Sequence, residues 1–427
     1  MGLQPEATPD GEPAAIAPTT QAERLSSLDL IRGIAVLGIL AANIVFFGQP
    51  QMAYMWPDGF VTDANDPDRW MWIAQFVLID GKMRGLFTLL FGVGIILFME
   101  KAWERGGDEM LLVRRMAVLL VFGLFHYFFI WRGDILTLYA MAGMAGLIFL
   151  RMKGKGLIIL GVLAYVIGGL VFAFLNAVPH LMMQMDTAGN PMLADAVAGM
   201  NAEKERILSD DAAETVILTT GNYLDFVRHN FAEHLTDPFS NGIFLLIFET
   251  VPLMLIGMGL YKVGLFEGKL NPTKTAIWGW IGVISGSVLT LLIAIAVARN
   301  GIGFWESIAA FMAYSIHPRL PVAIGLMALL ALYGANASGW LAERLSAAGR
   351  AAFTNYLGTS VLMMLIFHPW AGGLWGELSR PELYLVVALG WAVMIAWSKP
   401  WLEKYRYGPL EWLWRCLTYG KRFPLKR

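Results

Sequence analysis

Apolar runs of close to twenty residues recur along the chain, separated by short stretches where Gly, Pro, Asp, Lys and Arg collect. Twenty helical residues at about 1.5 Å each match the roughly 30 Å hydrocarbon core of a bilayer. The pattern places membrane-spanning helices at 28–48, 83–103, 111–131, 134–152, 156–178, 238–264, 274–298, 318–341, 349–370 and 381–398. Helices are expected rather than strands, because an open sheet edge would leave backbone groups unpaired in lipid. The fold class that follows is an all-α, polytopic membrane helical bundle of about ten transmembrane helices.

Composition removes the soluble alternatives. Of 427 residues 57% are hydrophobic and 15% charged, against about 25% charged in soluble domains. The net charge of −1 gives no basic excess for nucleic acid, and the single cysteine, Cys416, excludes an internal disulfide and a cysteine metal site. No metal is expected. In the connections, 21 Lys and Arg fall on the side of the N-terminus and eight on the other, with Arg32, Lys82 and Arg84 within or at the edge of spans. This imbalance puts both termini in the cytoplasm.

Residues 1–23, rich in Ala, Pro, Thr and Glu, read as a disordered cytoplasmic tail and not as a signal peptide. The connection 49–69 carries Asp58, Asp63, Asp66 and Asp68 and is expected to be a polar extracytoplasmic loop. The sixty residues at 179–237 should form interfacial helices on the same side. The tail 399–427 interleaves basic residues with Trp401, Tyr405, Tyr407, Trp412, Trp414 and Tyr419, the pattern of a helix on the cytoplasmic leaflet. Helical halves at 24–178 and 238–427 thus flank an extracytoplasmic segment, and no internal repeat relates them.

A charge near the bilayer centre costs at least about 2.5–3.5 kcal/mol, so each one in a span asks for a reason. Asp29 and Arg32 stand three apart on one helix face and Asn43 extends the same stripe, either as a structural ion pair or toward a ligand. Lys82 and Arg84 sit in a glycine-flanked turn before a span, able to hold an anionic group or simply to snorkel. His126 lies five residues inside the outer end of its helix, and Asp134 opens the next helix at that end. Asp134 is an N-cap or the partner of a general base. Glu249, eleven residues into the sixth span, suits a proton relay or cation coupling, or a neutral acid bonded to a neighbouring helix. Asn355, His317, Arg319 and His368 are further polar residues near helix ends. His229 and His234 lack the helical zinc spacing, and no phosphate-binding loop, dinucleotide fingerprint or nucleophile elbow is present. Gly282 and Gly286 mark close helix packing.

The segment Arg24-x-x-x-x-Asp29-x-x-Arg32-Gly33-x-Ala35, with Asn43 downstream, resembles the first helix of the transmembrane acyltransferases related to heparan-alpha-glucosaminide N-acetyltransferase. Gly349-Arg350-Ala-Ala-Phe-Thr354-Asn355-Tyr356-Leu357 and Gly408-Pro409-Leu410-Glu411-Trp412-Leu413-Trp414-Arg415 resemble the YeiB family of bacterial inner-membrane proteins, whose C-terminal half is domain of unknown function 418. Gly81-Lys82 with Leu86-Phe87-x-Leu89-Leu90-Phe91-Gly92, and His126 with Gly133-Asp134-Ile135-Leu136, resemble the same family. The likeness implies a multi-pass protein of the bacterial cytoplasmic membrane that moves an acetyl or other acyl group from a cytoplasmic acyl-CoA to an extracytoplasmic or membrane acceptor. The acyltransferases carry a histidine in the loop after the first helix. Loop 49–69 has none, and His126 takes its place as expected base, oriented by Asp134, with Lys82 or Arg84 on the oxyanion and Asp29, Arg32 and Asn43 on the donor. The expected partners are the bilayer, the acyl donor and its acceptor, with homo-oligomerisation left open. A small-solute or ion transporter coupled through Glu249 is the alternative.

Overall fold

The computed structural model describes residues 26–62, 65–240 and 242–427, so the expected tail at 1–23 lies outside the described residues. Helix α1 (Ser26–Gly48) is mostly apolar and largely buried, the usual fate of such a helix. It packs against five helices introduced below and against the short turn Gln51–Tyr54, which in turn meets the turn Pro57–Gly59. Helices α2 (Asp66–Leu78) and α3 (Lys82–Glu104) follow, then α4 (Met110–Phe129), α5 (Leu136–Gly146) and α6 (Gly154–Met183). Helices α7 (Pro191–Thr220) and α8 (Tyr223–Glu233) fill the long connection. Short turns α9 (Asp237–Ser240) and α10 (Ile243–Leu245) lead through a π-helical turn, Leu246–Thr250, into α11 (Val251–Lys262). The remainder is α12 (Pro272–Arg299), α13 (Phe304–Ala309), α14 (Ile316–Gly334), α15 (Trp340–Arg350), α16 (Ala352–Phe367), α17 (Arg380–Lys404) and α18 (Pro409–Tyr419).

Among the described residues eight stretches are long and apolar enough to cross a membrane, which marks a multi-pass membrane bundle. The ten expected spans resolve into these eight and two shorter apolar helices, Leu136–Phe149 and Ala352–Phe367. Sixteen residues in α16 reach only about 24 Å, short of the hydrocarbon core. Other boundaries shift for local reasons. The expected loop at 49–69 ends early because Asn65 and Asp68 form a reciprocal capping box that starts α2. Helix α6 runs through Pro179 to Met183. Helix α14 stops at Gly334, and α13 occupies a stretch left without structure in the sequence reading.

Residues of both helical halves share one buried core, from Leu28 of α1 to Met394 of α17. Two glycines set its tightest contact. A Cβ on Gly33 would fall 2.0 Å from the Leu345 carbonyl oxygen, and one on Gly349 would fall 1.8 Å from that of Asp29. The backbones of α1 and α15 therefore touch directly. Gly282 and Gly286 also bring α12 close to α14, where a Cβ would fall 2.6 and 2.4 Å from the carbonyl oxygens of Pro321 and Pro318, as their spacing implied.

Candidate functional site

His126 stands in the last turn of α4, and a short connection through Gly133 returns the chain as α5. Asp134 sits in that connection and works with both oxygens. Oδ1 lies 2.9 Å from His126 Nδ1, while Oδ2 accepts from the backbone N–H of Thr137 at 2.8 Å and satisfies the start of α5. Cap and partner of the histidine are thus one residue. Both side chains are buried, and the imidazole stands against Tyr356 at 5.3 Å and Trp131 at 6.1 Å between ring centroids. Among the described residues His126 Nε2 has no hydrogen-bond partner. With Nδ1–H donated to the carboxylate, Nε2 carries the lone pair, the tautomer a general base requires.

Tyr356 also lines a cavity of about 310 Å³, whose lining does not include His126 or Asp134. Its walls come from α1, α3, α4, α5, α15, α16, α18 and the segment before α18, and five arginines line it: Arg32, Arg115, Arg350, Arg406 and Arg415. Two acidic residues accompany them, and both are engaged. Asp29 pairs with Arg32 at 3.0 Å. Glu411 reaches from α18 to the start of α16, where it accepts from the backbone N–H of Phe353 (2.7 Å) and Thr354 (3.1 Å) and from the Thr354 hydroxyl (2.5 Å). Aromatic faces hold the cations in place: Arg115 lies 3.7 Å from the Trp414 ring and 4.7 Å from Phe98, and Arg415 lies 4.2 Å from Tyr407. Toward Tyr356 the lining turns aromatic, with Tyr139 stacked on Phe87 and Phe91. Arg115 and His126 are eleven residues apart on α4, about 16 Å along its axis. The arginine-lined cavity and the buried histidine are thus connected by a single helix.

Asp29 and Arg32 belong to this cavity; Asn43 is half-buried and lies outside its lining. Lys82 and Arg84 do not converge on His126, and among the described residues no hydrogen bond or ion pair joins them to it. Lys82 does not snorkel: it is buried and donates to the Phe76 carbonyl at 2.5 Å. Arg84 pairs with Glu249 at 2.7 Å, so Glu249, on the π-helical turn, has a cationic partner. Asn355 is buried and structural, giving Nδ2 hydrogen bonds to Ala348 O and Ser398 Oγ and accepting from Trp397 Nε1.

Sequence reasoning missed the other cavity arginines as a group. Arg115 and Arg406 entered it only as charges fixing the topology, and Arg350 and Arg415 as those and as members of family-like motifs; their available signal was one side of the membrane shared with aromatic neighbours. A second missed cluster surrounds the α2–α3 turn. Arg380 donates to Gln75 Oε1 and the Ala53 carbonyl, and Asp80 accepts from Tyr54 and Gln75. Burial and the Asp80 carboxylate hold the Tyr54 hydroxyl well above its ordinary range, with Arg319 and Arg84 pulling the other way.

Residues 260–421 match the family described as "Protein of unknown function (DUF418)". Beyond that segment, the chain is 29% identical over 408 residues to the uncharacterized protein YeiB of Escherichia coli strain K12, covering 93% of this chain and 96% of that protein. The chain is a DUF418-containing relative of YeiB. It is equally close to the uncharacterized protein YxaH of Bacillus subtilis strain 168, at 28% identity over 97% of this chain and 99% of YxaH. An uncharacterized 39.9 kDa protein from the amylase 3' region of Bacillus acidopullulyticus is 27% identical over 94% of this chain and 96% of its own length. No solved structure matches. The DUF418 segment contains α12 to α18 and thus Arg350, Tyr356, Arg406, Glu411 and Arg415, whereas Arg32, Arg115, His126 and Asp134 come from the preceding half.

Proposed function

We propose that this DUF418 relative is an acyltransferase of the bacterial cytoplasmic membrane, with both termini inside, that draws its acyl group from a phosphate-bearing thioester such as acetyl-CoA. The observation that carries the reading is the five-arginine cavity ending at Tyr356, one aromatic ring from the Asp134-oriented His126. Arginine is suited to phosphate because its fork presents paired donors. At about 310 Å³ the cavity is at the small end of ligand sites, so it holds the phosphate and arm of a donor rather than its whole nucleotide.

In the reaction, His126 Nε2 removes a proton from the acceptor hydroxyl or amine as that atom bonds to the acyl carbon. The carbon–sulfur bond then breaks, and the proton passes to the departing thiolate. Lys82 and Arg84 are engaged elsewhere, so the oxyanion falls to Tyr356. Its oxygen accepts from Ile135 N at 3.3 Å and keeps its own O–H to donate. The acceptor lies in the membrane or beyond it. Radiolabelled acetyl-CoA offered to inverted vesicles tests this: label transfer in wild type and its loss in His126→Gln support the reading, and transfer retained in His126→Gln refutes it.

The Arg84–Glu249 pair favours a second reading, solute or ion transport without chemistry. π-Helical turns are frequent at functional sites, and this one presents a carboxylate inside an apolar stretch. Proton-driven uptake into liposomes, abolished in Glu249→Gln and indifferent to His126→Gln, would select it.

A further inference from the structure

Arg319, in the first turn of α14, is 6% exposed, yet its Nε is buried with no partner. Among the described residues no carboxylate lies at ion-pair distance from it. Lys82, fully buried beside it, donates only to a neutral acceptor, the Phe76 carbonyl. The carboxylates of this region are engaged: Asp80 by the Tyr54 hydroxyl and Gln75 amide, Asp68 by the backbone N–H groups of Asn65 and Arg380. Three buried basic side chains, Lys82, Arg319 and Arg380, thus share this region with two buried carboxylates, Asp68 and Asp80. Among the described residues Arg319 is the member whose side chain has no hydrogen-bond or ion-pair partner.

The backbone is shaped around this guanidinium. Gly81, between α2 and α3, has φ +72°, and a Cβ there would fall 2.4 Å from Arg319 Cδ and 2.9 Å from Cζ. Arg319 therefore lies flat on the turn that delivers Lys82. A cation kept from water without a counter-ion is a costly arrangement, and an anion placed against it removes the cost.

We propose that Arg319 and Lys82 form a binding site for a single anionic group, a carboxylate or phosphate, at the α2–α3 turn. The group belongs to a phospholipid headgroup or to a small soluble acid. The site is separate from the arginine-lined cavity and does not depend on the acyltransfer reading.

The test uses purified full-length protein carrying Arg32→Ala, which weakens phosphate binding in the larger cavity. Thermal midpoints are measured in neutral detergent at fixed ionic strength with inorganic phosphate, acetate, dioleoylphosphatidylglycerol or phosphate-free dioleoylglycerol. The expected result is a saturating upward shift with an anionic probe and none with dioleoylglycerol, lost on adding Arg319→Gln. A shift with phosphate or acetate identifies a soluble acid; a shift confined to phosphatidylglycerol identifies a headgroup. No shift with any anionic probe, or a shift that persists in Arg319→Gln, overturns the proposal. Should Arg319→Gln not fold, Lys82→Met decides: a reduced shift supports the site and an unchanged shift overturns it.

Discussion

Arg84 and Glu249, 165 residues apart in sequence, meet at 2.7 Å between α3 and the π-helical turn before α11. Glu249 is largely buried while Arg84 keeps a third of its side chain exposed, so water screens part of the interaction. Arg84→Ala or Glu249→Ala alone should cost about 1–3 kcal/mol, the lower range for a broken, partly buried pair. The double variant should lose less than the two losses added. Thermal denaturation of all four proteins in one detergent measures the coupling, and strict additivity would remove it.

His126 and Asp134 allow chemistry to be separated from architecture. His126→Gln should reduce transfer about 10²–10⁴-fold while leaving the denaturation midpoint close to wild type. Asp134→Asn retains an oxygen for Thr137 N but loses the carboxylate facing the imidazole, so activity should fall more than stability. Asp134→Ala removes the cap as well and should cost about 1 kcal/mol more. Equal activity in Asp134→Asn and wild type would exclude the orienting role.

Helix α18 is tied to α16 through Glu411, which serves as a helix cap supplied by a distant segment. Glu411→Ala should free three donors and cost about 1–3 kcal/mol. Its more specific sign is local: protease cleavage between α17 and α18 should accelerate before the rest of the bundle unfolds. Unchanged cleavage would show that α18 is held by its aromatic contacts alone.

Asp211 of α7 accepts from the backbone N–H of Met52 at 3.0 Å, and burial pushes its carboxyl up from 3.8 to about 6. Between those values the folded protein holds a proton that the unfolded chain has released. Stability from this site is therefore present at low pH, declines as pH rises from about 4 to 6, and is level above. Relative to wild type, Asp211→Asn should become progressively more stable across that window. Midpoints taken from pH 4 to 7 test the slope; a parallel pair of curves would contradict it.

The short-range features were legible because neighbouring residues fix them. Apolar runs of a bilayer's length gave the long helices, and three-residue spacing gave the Asp29–Arg32 pair. The His126–Asp134 pair was foreshadowed by two helix ends on one side of the membrane. What the sequence hid was set by helix neighbours. Lys82 read as a cation able to snorkel or to hold an anion, and the α2–α3 turn buries it; Glu249 read as a relay or as an acid bonded to a neighbouring helix, and nothing near it names Arg84 as its partner. The arginine-lined cavity was illegible for the same reason: its walls come from seven helices spread between Leu28 and Tyr419.

The reciprocal glycine contact between α1 and α15 bears on how that cavity can open. With Gly33 and Gly349 leaving no side chain between the backbones, Arg32 and Arg350 are carried on what amounts to one rigid block. Arg406 and Arg415 instead lie in the C-terminal segment, where α18 is held by side chains: Glu411 on α16, and Trp414 against Arg115 and Phe353. The cavity arginines thus divide between helices locked backbone to backbone and a terminal segment held by side chains, so a ligand too large for the closed volume should enter by displacing α18 rather than by parting the core.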